Sequence, residues 1–187
     1  LSGTGPKAGG PNYLQALTRP VFPKSAKVEG KLADLAEVQS ALNQLAAPLR
    51  HPLKTIDLPG PTGEANQLSI FARGKVLCRG PGRDTANEQA KEAIAAGCSA
   101  LCVTPGAQID GVLAPEDLSA LSGFCAVVFW GGEEDARALR CALAARSGAL
   151  LPLITSKGDL SRYQIERHVC IDTTASGGNA ELLINST

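Results

Sequence analysis

Short apolar runs and amphipathic stretches alternate along the second half of the chain. Runs at 76–78, 100–103, 125–130 and 150–154 have the length and composition of buried strands. Between them, 84–96 and 133–146 read as helices, and a shorter helix opens at Pro115. Thr85 and Glu88 stand at capping-box spacing, and Gly97 sits where a helix stops. Strand and helix in strict alternation predict a parallel sheet covered on both faces, with right-handed crossovers. The fold class is therefore α/β: a Rossmann-like three-layer α/β/α domain over about 68–157. Pro152 has no backbone N–H to give a sheet, which places the last strand at an edge.

The flanks read differently. Residues 1–30 hold Pro6, Pro11, Pro20, Pro23 and five glycines, the pattern of an extended arm. Leu35, Val38, Leu42 and Leu45 then fall three and four apart before Pro48, one amphipathic helix with a single apolar stripe. Three prolines between His51 and Gln67 mark a linker, so 31–67 reads as helix plus linker. In 158–187, alternation from Val169 to Thr173 leads into a Ser-Gly-Gly-Asn turn and an apolar finish, a β-flap. A flap ending in Leu182, Leu183 and Ile184 needs a partner surface over it.

Composition narrows the function classes. Hydrophobic residues make up 44% of the chain, an ordinary globular share. Its 18 basic and 18 acidic side chains cancel, and no basic stripe interleaved with aromatics points to nucleic acid. No apolar run approaches the roughly 20 residues of a membrane span. Six cysteines lie in apolar runs and outside any disulfide framework, as in a cytoplasmic protein. The chain lacks methionine and opens on Leu1 inside a glycine-rich loop, which sets the expectation that it is a piece of a longer polypeptide.

Candidate chemistry is sparse. The first parallel strand leads into RGPGRDT, which offers Gly80 and Gly82 but puts Thr85 where a dinucleotide fingerprint has its third glycine. The second strand ends in Val103, Thr104 and Pro105, with no acid for a ribose. A plain strand-to-helix turn is the preferred reading, and no cofactor is expected in this chain. The alternative is a regulatory module binding a nucleotide or phosphate through Gly80, Gly82 and Thr85 and the Gly131-Gly132 turn, which follow strands one and three. Cys98 and Cys102 lack the further ligands of a zinc site, and Cys125 and Cys141 fall in a strand and a helix stripe. Core packing is expected for all the cysteines. His51 and His168 have no nucleophile or acid at a recognisable spacing and are expected at the surface or in capping roles, so no catalytic or metal residue is assigned.

Three stretches carry a family resemblance. SGTGPKAGGPNYL resembles the segment of glutamate-semialdehyde dehydrogenases, in the aldehyde dehydrogenase superfamily, just beyond the substrate-anchoring loop. LPGPTGEANQL and IERHVCIDTTASGGNAELL are similar to two stretches of the bifunctional flavoenzyme family proline utilization A. Where that family's tail reads Asn-Thr-Ala-Ala-Ala-Gly-Gly-Asn, this chain has Asp172, Thr173, Thr174, Ala175 and Ser176 before Gly177, Gly178 and Asn179. The resemblance implies a parent enzyme that oxidises proline to glutamate in two steps. An FAD-dependent proline dehydrogenase would be joined to an NAD-dependent glutamate-semialdehyde (pyrroline-5-carboxylate) dehydrogenase by an internal tunnel.

In that family the nucleophilic cysteine and general-base glutamate lie upstream of the position of Leu1. The resemblance therefore makes 1–30 the end of the dehydrogenase region and 68–187 a noncatalytic lid and assembly domain over the tunnel. Its contact residues would be Thr173, Thr174, Ser176, Gly177, Gly178 and Asn179. The implied partner is the rest of the parent polypeptide, which holds the NAD and FAD. If the surface that the Leu35–Leu45 stripe normally covers lies outside this chain, the stripe is bare and either folds back or finds another copy; self-association into a homo-oligomer is expected.

Overall fold

The computed structural model describes residues 6–18, 21–23, 28–47 and 49–172. In chain order its elements are α1 (Tyr13–Ala16), α2 (Leu35–Gln44), β1 (Lys54–Leu58), β2 (Glu64–Ala72), β3 (Lys75–Cys78), α3 (Gly82–Ala95) and β4 (Ser99–Cys102), followed by β5 (Ala126–Val128), α4 (Glu133–Ala144), β6 (Leu153–Ile154) and β7 (Gln164–Asp172). Single 3₁₀ turns stand at Glu116–Ser119 and Leu160–Tyr163. A parallel sheet runs in the order β4-β3-β5-β6, the α/β architecture that the alternation predicts. β6 forms one edge, where Pro152 gives up no needed donor and its carbonyl accepts from Val127 N at 3.1 Å.

Because successive strand side chains point to opposite faces, each parallel strand feeds two cores. Leu77, Leu101 and Val127 face one, against Val38 and Leu42 of α2 and Leu139 and Leu143 of α4. Val76, Cys78, Ala126 and Val128 face the other, beneath Ala86 and Ala93 of α3. The alanines of α3 let it lie close to the sheet, while leucines and phenylalanines fill the thicker layer opposite.

The stripe of α2 is not bare, contrary to the sequence expectation. Val38 and Leu42 are fully buried on the chain's own sheet, and Leu35 and Leu45 pack at the margin of the same core. The reason lies in the β4-to-β5 connection, which carries only a 3₁₀ turn where a doubly wound sheet usually has a helix. α2 fills the place beside α4 that this leaves open. Asp34 caps it, its Oδ1 accepting from Ala36 N at 2.8 Å and Glu37 N at 3.4 Å.

The segment leading into α2 is latched across the ends of the parallel strands. Val112 N donates to Lys31 O at 2.7 Å, and Ala33 N donates to Val112 O at 2.9 Å. Two glycines permit the approach: a Cβ on Gly111, at φ +143°, would fall 2.7 Å from Ala33 Cα, and one on Gly30 would fall 2.7 Å from Pro105 Cγ.

The stretch read as a linker, 51–67, instead holds β1 and the start of β2. These form an antiparallel sheet with β7 in the order β1-β2-β7, β2 pairing along its whole length from Glu64↔Asp172 to Ala72↔Gln164. The tail strand thus finds its partner in the supposed linker. Pro59 and Pro61 sit in the turn between β1 and β2, outside both strands. Arg73, in the connection from β2 to β3, is held to the entry of β7, donating from Nε to Arg162 O at 3.0 Å and from Nη2 to Gln164 O at 2.9 Å.

The Thr85/Glu88 capping box does not form. α3 starts earlier, with Pro81 as N-cap and no side-chain cap bond, so Thr85 already lies within the helix. Glu88 instead meets Lys157 Nζ at 2.7 Å.

Candidate functional site

β3, β4 and β5 all end at one edge of the parallel sheet, where the chain runs from β3 to β4 on one side and then from β4 to β5 on the other side of β3. In such sheets the crevice beyond the strand ends is where ligands settle. Here it forms a half-open cavity of about 400 Å³, lined by Arg79, Val103, Thr104, Leu113 and Phe129 together with Asp135 of α4 and Glu29 of the latched segment.

The alternation that turns Leu77 toward α4 turns Arg79 the same way, one step past the end of β3. Its Nη2 donates to Leu113 O, while Nε and Nη1 are buried with no protein acceptor. Burial pulls the guanidinium pKa down to about 10, against the opposing pull of Asp117, Asp135 and Glu116, so it carries its charge at neutral pH. Thr104, at the end of the neighbouring strand, is 2% exposed, and its Oγ1 also lacks a partner.

The glycine turn itself is closed from inside. Gly80 N donates to Gln89 Oε1 at 3.0 Å, and Gln89 Nε2 returns a bond to Gly80 O at 2.7 Å. Trp130 N reaches the same carbonyl at 3.0 Å. Gly80 and Gly82 are needed for the backbone course, at φ +81° and +76°, and Pro81 between them has no N–H. The structure brings Gly80 and Gly82 into one turn, but Thr85 is drawn into α3 and the amide of Gly80 is engaged. The other turn opens no phosphate cradle either: Gly131 lies against the Phe129 ring, and α4 begins with Glu133, Glu134 and Asp135 at the end that would otherwise favour an anion.

Of the cysteines, Cys78, Cys98 and Cys102 are buried and Cys125 half-buried, but Cys141 and Cys170 are exposed. Core packing thus fails for the last two, which fall on the outward faces of α4 and β7. Cys78 stands opposite Cys102 across the β3–β4 register, and its thiol is pushed well up by the hydrogen bond with Cys102 and by burial. His51 is exposed, and His168 Nε2 lies 3.1 Å from Asn66 Oδ1 on the open face of the antiparallel sheet. Thr173, Thr174, Ser176, Gly177, Gly178 and Asn179 lie outside the described residues. Among the described residues no cluster of three or more His, Cys, Asp or Glu could hold a metal, and no helix is long and apolar enough to cross a membrane.

Sequence reasoning passed over Arg79. Its signal was present: a cation follows the apolar run 76–78 directly before a strand-to-helix turn, at the crevice position of an α/β sheet.

No family model matches the chain. It is 31% identical over 226 aligned positions to the bifunctional protein PutA of Escherichia coli strain K12, covering 98% of this chain and 17% of that protein. It is 33% identical over 219 positions to the bifunctional protein PutA of Rhizobium meliloti, covering 98% of this chain and 18% of the relative. A crystal structure of Bradyrhizobium japonicum proline utilization A (PutA) aligns with 56% of this chain and 14% of its own, at 28% identity and a TM-score of 0.42. The chain spans about 17% of the length of the first of these curated relatives.

Proposed function

The chain is a relative of the bifunctional PutA proteins along 98% of its length, and from that premise we propose that it is the noncatalytic C-terminal lid and assembly region of a proline-catabolic enzyme of that kind. In this reading the flavin-dependent oxidation of proline and the NAD-dependent oxidation of the semialdehyde take place in the remainder of a longer polypeptide. This region closes the path between them.

One observation carries the reading: the glycine turn of a dinucleotide-type scaffold is plugged by its own Gln89. With Gly80 N–H engaged, no N–H at Pro81 and three carboxylates at the start of α4, the fold keeps the shape of a cofactor domain without its phosphate cradle. That favours a role in closure over a role in hydride transfer. The arm supports an assembly surface: Leu14, Leu17 and Val21 are 78%, 68% and 90% exposed, and Val169 and Ile171 stand out from β7. NAD and FAD would be held by the rest of the polypeptide, and Ser176–Asn179 would be the point of contact with it.

The test uses the longer polypeptide with and without 173–187. Loss of the tail is expected to introduce a lag, and a leak of intermediate, between proline consumption and glutamate formation, while each half-reaction assayed alone is unchanged. Undiminished coupled flux after the deletion would rule the lid role out.

A further inference from the structure

We propose that Cys78 and Cys102 are a redox pair, which a hydroperoxide oxidises reversibly to an intramolecular disulfide joining the C-terminal ends of β3 and β4. The inference stands apart from the lid reading and can fail without it.

The register supplies the geometry. Cys78 and Cys102 are the last residues of their strands and stand directly opposite each other in the parallel ladder. Neighbouring strands lie about 4.8 Å apart, inside the Cα separation of roughly 4.4–6.8 Å that a disulfide spans. Both side chains point to the α3 face of the sheet, into the core that holds Ala86 and Ala93, and the two thiols are already hydrogen-bonded to each other. Cys98 belongs to the same core but precedes β4, pairs with no cysteine in the register and donates from Sγ to Tyr163 O at 3.2 Å.

The two thiols differ as an attacking and a resolving group must. Cys102 Sγ accepts from Cys78, which lowers its pKa, while Cys78 is raised by the same bond and by burial. Cys78 is fully buried, whereas Cys102 keeps 6% exposure, so the sulfur that an oxidant meets is also the more acidic one. The Cys102 thiolate attacks the peroxide: an S–O bond forms, the O–O bond breaks and an alcohol or water leaves, giving a sulfenic acid. The Cys78 sulfur then attacks that sulfur; the S–S bond forms, the S–O bond breaks and the Cys78 proton departs with the hydroxyl as water. Two thiols and one hydroperoxide thus give one disulfide, one alcohol and one water. Closing the bond takes Cys102 away from Ala86 O, its acceptor at 3.3 Å, so the thiol state also alters a contact with α3. Cβ atoms on strands about 4.8 Å apart must close toward about 3.8 Å, and a disulfide formed under that strain is readily reduced again.

The experiment treats the native 187-residue chain with hydrogen peroxide, removes the peroxide with catalase, unfolds the chain in iodoacetamide and maps its peptides without reduction. A linkage between Cys78 and Cys102 is expected, reversed by dithiothreitol and formed equally well in Cys98→Ala. In Cys78→Ala, with no resolving thiol, Cys102 is expected to advance to the sulfinic acid; in Cys102→Ala, Cys78 is expected to stay a free thiol. If either of these two variants does not fold by circular dichroism, the unsubstituted chain and Cys98→Ala decide. Recovery of Cys78 and Cys102 as free thiols while the exposed Cys141 and Cys170 are oxidised overturns the proposal. So does a linkage from Cys78 to Cys98, or an unoxidised Cys102 in a folded Cys78→Ala.

Discussion

Gln89 decides at a single position what the glycine turn can do. Both of its amide atoms are bonded to Gly80, and the side chain is fully buried, so the turn is part of the core and not an open loop. In Gln89→Ala the carbonyl of Gly80 keeps its bond from Trp130 N, but the amide loses its acceptor. The expected loss is about 1–3 kcal/mol in urea denaturation, the cost of a buried donor left unmet. The cysteines give a second readout at this scale. Cys141 and Cys170 are exposed, whereas Cys78, Cys98 and Cys102 are buried, and burial raises Cys98 as it does Cys78. Brief maleimide treatment of the native chain, read by mass spectrometry, is expected to modify Cys141 and Cys170 and to reach the buried three only after unfolding.

Elements show where local sequence was a sufficient guide and where it was not. β3, β4, β5 and β6 and their helices were legible because buried parallel strands are continuous apolar runs and the helices between them have stops such as Gly97, at φ +84°. β1 and the start of β2 were hidden because their side chains stay largely exposed, and the flanking Pro59 and Pro61 dominated the local signal. Pairing of β2 with a strand about a hundred residues later is a long-range choice that no window contains. The closed glycine turn was half legible: the missing third glycine is in the sequence, but the reach of Gln89 back to Gly80 is visible only in three dimensions. For α2 the stripe was legible and its partner was not, since the gap it fills is left by a β4–β5 connection that carries a 3₁₀ turn and no α-helix. Leu42→Ala is expected to cost about 2–5 kcal/mol. Val38→Asp places a carboxylate at a fully buried site and is expected to detach α2, with self-association appearing in sedimentation velocity. Gly111→Ala combines φ +143° with a Cβ against Ala33, and should loosen the latched segment, read as faster amide exchange at Val112 and Ala33.

At the scale of the whole molecule, a three-layer domain and an antiparallel sheet share the β2-to-β3 connection, where Arg73 is held to the entry of β7, and the lead-in arm is held to β7 by Glu166, whose oxygens accept from Lys7 N and Asn12 Nδ2 at 2.7 Å each. Both ends of the described chain therefore meet on the antiparallel sheet, the side that also presents Val169 and Ile171. In the proposed account that side serves assembly and the parallel sheet gives rigidity, while redox chemistry belongs to the remainder of the polypeptide. Everything in that account requires a cofactor-type scaffold unable to hold its cofactor. The most direct measurement is calorimetric titration of the 187-residue chain with NAD. With the Gly80 amide bonded to Gln89 and acids crowding the start of α4, no saturable binding is expected. One-site NAD binding that weakens when Gly82 is replaced would contradict it.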